Sequence, residues 1–446
     1  MKLLRDNGYF NWVLPLMLAF AAVDVLLSGR DLSMMFAELA GMADSSRSAL
    51  MPWLQRALSV VLLLASIERI SYHFAHHRAV PSLPLAWAYI VYWACTVAAP
   101  ALFGAHRVIS HEFTYALIIG LAALLVTTQE IGKIVDTVRS MFFSLLLLSV
   151  VLVPIWPSLV LDSSYTQGLL PGVPRLGGVA PHPVAMGMYA QMALLLLWTR
   201  PYANRWVNGL AWVLGLAVLF FAQSKTAWIA FVLCTVCLVA VRNGTNAWRR
   251  LGDPREGAFG AMLLVGAIAV VLALTGLVLL GDIGSTVSGL LETDEGAQLM
   301  TFTGRDKIWA IALEEWQNSP VFGYGPGLFN ADFRASIHMA NATNGHNQFM
   351  DTLARSGTVG ATALVLYALV LLTLSLRYAR ATGGLSVALF VALALRSVSE
   401  VPLILFGYGA ELFTHLLLIV TLASAAGARR AVESVVPRNA IYSGAS

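Results

Sequence analysis

Largely apolar runs of 17 or more residues recur along this chain, and they restrict its fold more than any other feature. About 20 such residues in a helix cross the roughly 30 Å hydrocarbon layer of a bilayer with every backbone group bonded internally. The candidate spans are 11–28, 52–70, 85–103, 112–128, 141–160, 180–199, 206–222, 225–241, 259–280, 357–376, 382–401 and 406–427. The expected fold is an all-α polytopic membrane protein with about 12 transmembrane helices and both termini on one side. Charged residues make up only 12% of the chain, against about 25% in soluble domains, so a set of soluble domains is excluded.

Basic residues orient the bundle, because Lys and Arg gather in cytoplasmic segments. With the N-terminus inside, 17 of the 28 basic residues fall inside, ten fall outside, and Arg396 lies within a span. The expected domains are residues 1–280 with nine spans, a periplasmic or exterior loop at 281–356, three spans over 357–427, and a cytoplasmic tail at 428–446. The net charge of +4 gives no reason to expect nucleic acid. The basic 243–257 loop suits anionic lipid headgroups.

Lys2 and Arg5 before an apolar run imitate a signal peptide, but no small-x-small site closes the run before Arg30, so an uncleaved first helix is expected. Cys234 and Cys237 are spaced as C-x-x-C inside a span, where small packing residues explain them without redox chemistry. His73, His76 and His77 match no strong metal template and read as an interfacial segment.

The 281–356 loop is the one long polar stretch. Its first part carries Asp282, Glu292, Asp294 and Glu295 and no base. From Arg305 to Gln317, the spacing of Ile308, Trp309, Ile311, Ala312, Leu313 and Trp316 predicts a helix with one apolar face, capped by Thr303 or Gly304 and ended by Asn318-Ser319-Pro320. Gly323, Gly325 and Gly327 follow a helix rather than a strand, so they form a tight turn and not a dinucleotide fingerprint. A short helix is expected over 331–339, then one capped by Asn344, starting near His346 and ending at Gly357.

In the first turn of that helix the dipole disfavours imidazolium, so His346 stays neutral and suits a general base; His338 is the second candidate. Arg305 at a helix start is the wrong charge for the dipole unless an anion lies between. Arg175, before Pro181-His182-Pro183, and Lys225, within Gln223-Ser224-Lys225-Thr226-Ala227-Trp228, stand in two other outside connections. With Arg305 they make a cationic pocket suited to a lipid diphosphate. Each also has an ordinary reading, as a satisfied histidine, a solvated charge or a side chain reaching for headgroups. Arg396 and Glu400, one turn apart in the eleventh span, read as a structural pair or as support for the site from beneath. There is no zinc spacing, Walker loop, G-x-S-x-G or Asp-x-Asp; the nearest relative of the last is Glu292-Thr293-Asp294.

Four segments carry a resemblance: Arg175-Leu176-Gly177-Gly178 with His182-Pro183; Gln223 to Trp228; Gly304-Arg305 with Trp309 and Pro320 to Phe329; and Gly345-His346-Asn347-Gln348-Phe349 with Gly357. In this order and setting the chain resembles the O-antigen ligase family, in the superfamily with O-antigen polymerases and protein O-oligosaccharyltransferases. One departure is Lys225, where many members carry Arg; Lys keeps the charge but not bidentate phosphate binding.

The resemblance implies a GT-C-like glycosyltransferase in the Gram-negative inner membrane with its active site facing the periplasm. The donor would be undecaprenyl diphosphate-linked O-antigen and the acceptor a sugar hydroxyl of lipid A-core, with inversion and without cofactor or metal. His346 would be the base, Arg305 catalytic, and Arg175, Lys225 and Arg305 the diphosphate ligands. His338, Asn347, Arg396 and Glu400 would support them. The rivals are a polymerase or protein oligosaccharyltransferase using the same donor. A transporter fits less well, since most candidate charges sit at one face rather than mid-membrane.

Overall fold

A computed structural model of the chain describes residues 9–34, 50–164, 172–252, 305–339, 342–406 and 410–435. The expected span 259–280, the acidic stretch 281–303 and the Thr303 or Gly304 cap lie outside the described residues. The helices are α1 (Val13–Ser28), α2 (Met51–Ala75), α3 (Leu83–Phe103), α4 (Phe113–Ala123), α5 (Ile131–Ile155), α6 (Pro183–Thr199), α7 (Arg205–Phe221), α8 (Lys225–Gly252), α9 (Arg305–Asn318), α10 (Ala331–Ser336), α11 (Gln348–Arg377), α12 (Leu385–Ser399) and α13 (Ala410–Val435). One wide turn at Ala94–Ala98 interrupts α3 without ending it. Two short strands, β1 (Leu161–Asp162) and β2 (Arg175–Leu176), pair antiparallel with Asp162 opposite Arg175.

Among the described residues, seven helices are long and apolar enough to cross a membrane, and four shorter apolar helices pack with them. The chain is a mostly helical, multi-pass membrane protein. Eleven of the twelve expected spans coincide with a helix, with shifted ends. The fifth begins at Ile131, not 141, because its first turns carry Lys133, Asp136 and Arg139, and Asp136 pairs with Arg200 at 2.9 Å. The eleventh starts only after the left-handed pair Gly383 and Gly384 and stops at Ser399, which leaves Glu400 outside the helix.

The centre of the bundle is α6. Every residue from Ala185 to Leu197 is buried, and α5, α7 and α8 pack around it. Small residues allow this closeness: a Cβ at Gly187 would meet the Ser224 side chain at 2.8 Å. Outer faces remain apolar, as on α7 with Trp206, Leu210 and Val213 exposed, which is how a helix meets lipid rather than water.

A second, smaller core lies apart from the bundle. Ile308 and Ala312 of α9, Leu328, Phe329, Phe333 of α10, Ala342 and Ala354 of α11 form it. The expected helix from Arg305 is present as α9, its apolar face spent on this core. The expected helix over 331–339 is α10, two turns capped by Asn330, whose side chain accepts from the Phe333 N–H at 2.8 Å.

The glycine-rich run makes the close approach its composition predicts. Gly357 breaks α11 at φ 62°, and the peptide groups freed there bond the run. Tyr324 N–H reaches Ala354 O at 2.8 Å, Gly325 N–H reaches Arg355 O at 3.0 Å, and Thr358 N–H reaches Pro320 O at 2.8 Å. A Cβ on Gly357 would lie 2.3 Å from Val321 O. On its other side the run takes Ala105 and His106 N–H bonds, so it is wedged between α11 and the connection after α3.

Candidate functional site

The starts of α6, α8 and α11 and the ends of α7 and α12 meet at one end of the bundle, where Arg175, Lys225, His346, Arg396 and Glu400 stand. The helix expected to begin near His346 under an Asn344 cap begins instead at Gln348. Its cap is Asn347, whose side chain accepts from the Phe349 and Met350 N–H groups at 3.0 and 3.1 Å. Asn344 has another job: its side chain accepts the His346 N–H at 2.8 Å, turning the chain so that His346 is left-handed at φ 43°. His346 therefore precedes the helix rather than lying in its first turn. The dipole argument for its neutrality is replaced by a specific contact.

That contact is Glu400. His346 Nδ1 is buried without a hydrogen bond and stands 3.6 Å from Glu400 Oε2, both side chains about a quarter exposed or less. Asn347 ties the two segments together, donating from Nδ2 to Val398 O at 3.2 Å. Gln348 does the same one residue on: its Oε1 accepts the Leu403 N–H at 2.7 Å. Burial pushes the Glu400 carboxyl up, but His346, His182 and Arg396 outweigh burial and hold it below the usual carboxylate range.

Behind Glu400 lies a narrow cleft bounded by α6, α8 and α12, with Ser224, Thr226, Arg396 and Glu400 on its walls. It holds about 20 Å3, room for a water-sized group and no sugar. Arg396 is buried at the end of α12. Glu400 contacts His346, and Arg396 acts on the same carboxyl through its charge.

Arg175 is buried in β2, and its Nε donates to Ala222 O at 3.3 Å, at the end of α7. The Gln223 side chain donates to Val173 O at 2.9 Å, so two connections distant in sequence are joined. Ser224 then caps α8, accepting the Ala227 N–H at 3.3 Å. Lys225 follows as the first helical residue, exposed and without an ion-pair or hydrogen-bond partner for its side chain among the described residues. A lysine at a helix start adds to the positive end of the dipole, and the two together favour an anion.

Arg305, half-buried at the start of α9, likewise has no side-chain partner among the described residues. One turn later Trp309 donates from Nε1 to Gly345 O at 2.9 Å, which fastens the Arg305 end of α9 to the residue before His346. Asp351 secures that residue from the other side, accepting the Gly345 N–H at 2.9 Å and pairing with Arg355 at 2.8 Å. Arg355 in turn donates to Pro326 O at 3.0 Å and to Leu328 O. His338 follows α10 in a left-handed conformation and is exposed, with no side-chain bond among the described residues.

Several supporting residues escape the sequence. Arg30 counts there only as an outside charge, yet it donates to Gly178 O, Ala180 O and Pro181 O and so holds the loop between Arg175 and α6. His182 caps α6, its Nδ1 accepting the Ala185 N–H at 3.2 Å. The Asp351–Arg355 pair has i,i+4 spacing that a reader can find, but its function as a bracket for Gly345 has no sequence signal.

Two apolar grooves flank α11. One, about 320 Å3, lies against α12 and begins at Asn347, Phe349 and Val398, beside the His346–Glu400 pair. The other, about 560 Å3, lies against α3.

Residues 210–365 match the family model described as O-antigen ligase. The match takes in Lys225, Arg305, His338, His346 and Asn347, and leaves Arg175, Arg396 and Glu400 outside. No curated protein matches the chain.

Proposed function

We propose, from the match of residues 210–365 to the O-antigen ligase family model, that the chain transfers a glycan from undecaprenyl diphosphate to a sugar hydroxyl of lipid A-core. The observation that carries the reading is the His346–Glu400 contact at 3.6 Å, at the bundle end where the connections that carry Arg175 and Lys225 are bonded to each other. With a proton on Nδ1 directed to the Glu400 carboxylate, Nε2 keeps its lone pair for the acceptor hydroxyl. Contacts of this kind are often long before substrate binds and tighten in the complex.

The acceptor oxygen attacks the anomeric carbon as His346 Nε2 takes its proton. The bond from that carbon to the diphosphate oxygen breaks, and the electron pair leaves with the diphosphate. One displacement inverts the anomeric centre. Arg175, Lys225 and Arg305 stabilise the charge that grows on the leaving group. Glu400 is a positioning residue: it orients the imidazole and steadies the imidazolium, while Arg396 sets the charge around it. Asn347 fixes the loop, and His338 remains the second candidate base.

Both substrates are lipid-anchored, and the two grooves beside α11 suit their chains. The excess of basic residues at the opposite end supports an inner-membrane orientation with both termini cytoplasmic and the site periplasmic. The lipopolysaccharide gel of a deletion strain tests the function. Loss of all O-antigen bands with undecaprenyl-linked polymer retained is expected; a single-repeat band would indicate a polymerase, and an unchanged gel would exclude both.

A further inference from the structure

At the end of the bundle away from His346 there is an open cavity of about 360 Å3 lined by α5, α6, α8, α12 and α13 and by the α11–α12 turn. Along α8 it lies 17 residues from Lys225, at Arg242, roughly 25 Å at 1.5 Å per residue. The transfer reaction has no use for it.

Two guanidinium groups stand at its rim, each held by other bonds. Arg200 donates from Nε and Nη2 to the Asp136 carboxylate, both at 2.9 Å, which leaves Nη1 beside the bare backbone of Gly132. Arg242 donates from Nε to Gly383 O at 3.0 Å and from Nη1 to Trp198 O at 3.4 Å, which leaves Nη2. Each arginine is thus fixed in place with one amino edge uncommitted among the described residues. Such preorganisation is more than a charge that merely orients the bundle requires.

The walls differ from the rim. Thr128 and Thr421 each spend their hydroxyl proton on a backbone carbonyl and keep lone pairs to accept with, while Thr382 is engaged with Ser386. Ile131, Val135 and Leu385 make the rest apolar. Cationic donors, neutral acceptors and an apolar wall together match a phosphodiester that carries a hydroxyl or ammonium on one side and glyceryl carbon on the other.

We propose that this cavity binds the headgroup of a glycerophospholipid from the leaflet opposite the candidate site, its phosphate between Arg200 and Arg242. Bound there, the lipid ties α5 and α6 to α8, α12 and α13 and stabilises the folded bundle by linkage.

The test uses the full chain in detergent, with thermal unfolding and native mass spectrometry as readouts. Added phosphatidylglycerol is expected to raise Tm and to remain bound at one per chain. The double variant Arg200→Gln with Arg242→Gln is expected to weaken binding at least tenfold. Ala425→Leu keeps both arginines and fills the cavity, and is expected to do the same. Protection by inorganic phosphate alone at equal phosphate would overturn the lipid assignment in favour of a free anion. Equal protection by diacylglycerol would overturn phosphate recognition. Wild-type lipid affinity in both variants would show that the cavity is not the site.

Discussion

His346 and Glu400 meet across 54 residues of sequence because three neighbouring bonds leave them nowhere else to go: Asn344 to the His346 amide, Asn347 to Val398, and Gln348 to Leu403. A charge-assisted contact contributes about 1.5–3 kcal/mol, and each 1.36 kcal/mol is a factor of ten in rate. Glu400→Gln is therefore expected to lower kcat by roughly 10- to 100-fold with the donor KM unchanged, and Glu400→Asp to recover part of it. An unchanged kcat in steady-state transfer assays would remove Glu400 from the mechanism. Lys225 is argued at the same scale. In the proposed reaction it would meet the diphosphate as a point charge, so Lys225→Arg is expected to keep transfer within a few-fold, whereas Lys225→Ala is expected to raise the donor KM by about tenfold or more. Equal KM values for the two variants would show that the charge is not used.

At the scale of elements, the break in α11 and the cap of α6 decide where the site residues stand. Gly357 is left-handed with backbone 2.3 Å from the place of a Cβ, so Gly357→Ala is expected to destabilise by more than the roughly 1 kcal/mol of the conformation alone. A thermal melt in detergent checks this, and an unchanged Tm would contradict the wedge. Asp351→Asn strands Arg355, whose side chain is only 7% exposed, and breaking such a pair costs about 3–5 kcal/mol. His182 stands in the connection ahead of α6, where burial pushes its imidazole down to about 4. The unfolded chain then binds the proton first. The cap's contribution is whole above about 6.5, the ordinary histidine value, and is lost as pH falls from there towards 4. His182→Asn keeps a capping oxygen without the titration, so its Tm should vary less over that range than the wild type's. The spans and the Arg305 helix were legible because apolar spacing is a local signal. The start of α11 was not, since Asn344 and Asn347 are both good caps and only the Asn347–Val398 contact chooses between them. Spacing offers Arg396 as the neighbour of Glu400; the His346 contact, which comes from another segment, has no sequence signal.

At the scale of the whole molecule, the two ends of one bundle carry different chemistry. One end gathers Arg175, Lys225, His346 and Glu400 from connections that a linear reading keeps apart; the other encloses a cavity with its own arginines. The central claim is that the first end transfers a glycan with His346 as base. The most direct measurement is transfer by the purified protein in liposomes from an undecaprenyl diphosphate-linked glycan to lipid A-core, wild type against His346→Ala. The account predicts transfer by the wild type, and a variant that folds and binds donor but transfers about 10²- to 10⁴-fold more slowly. A folded His346→Ala protein that transfers at the wild-type rate would contradict it.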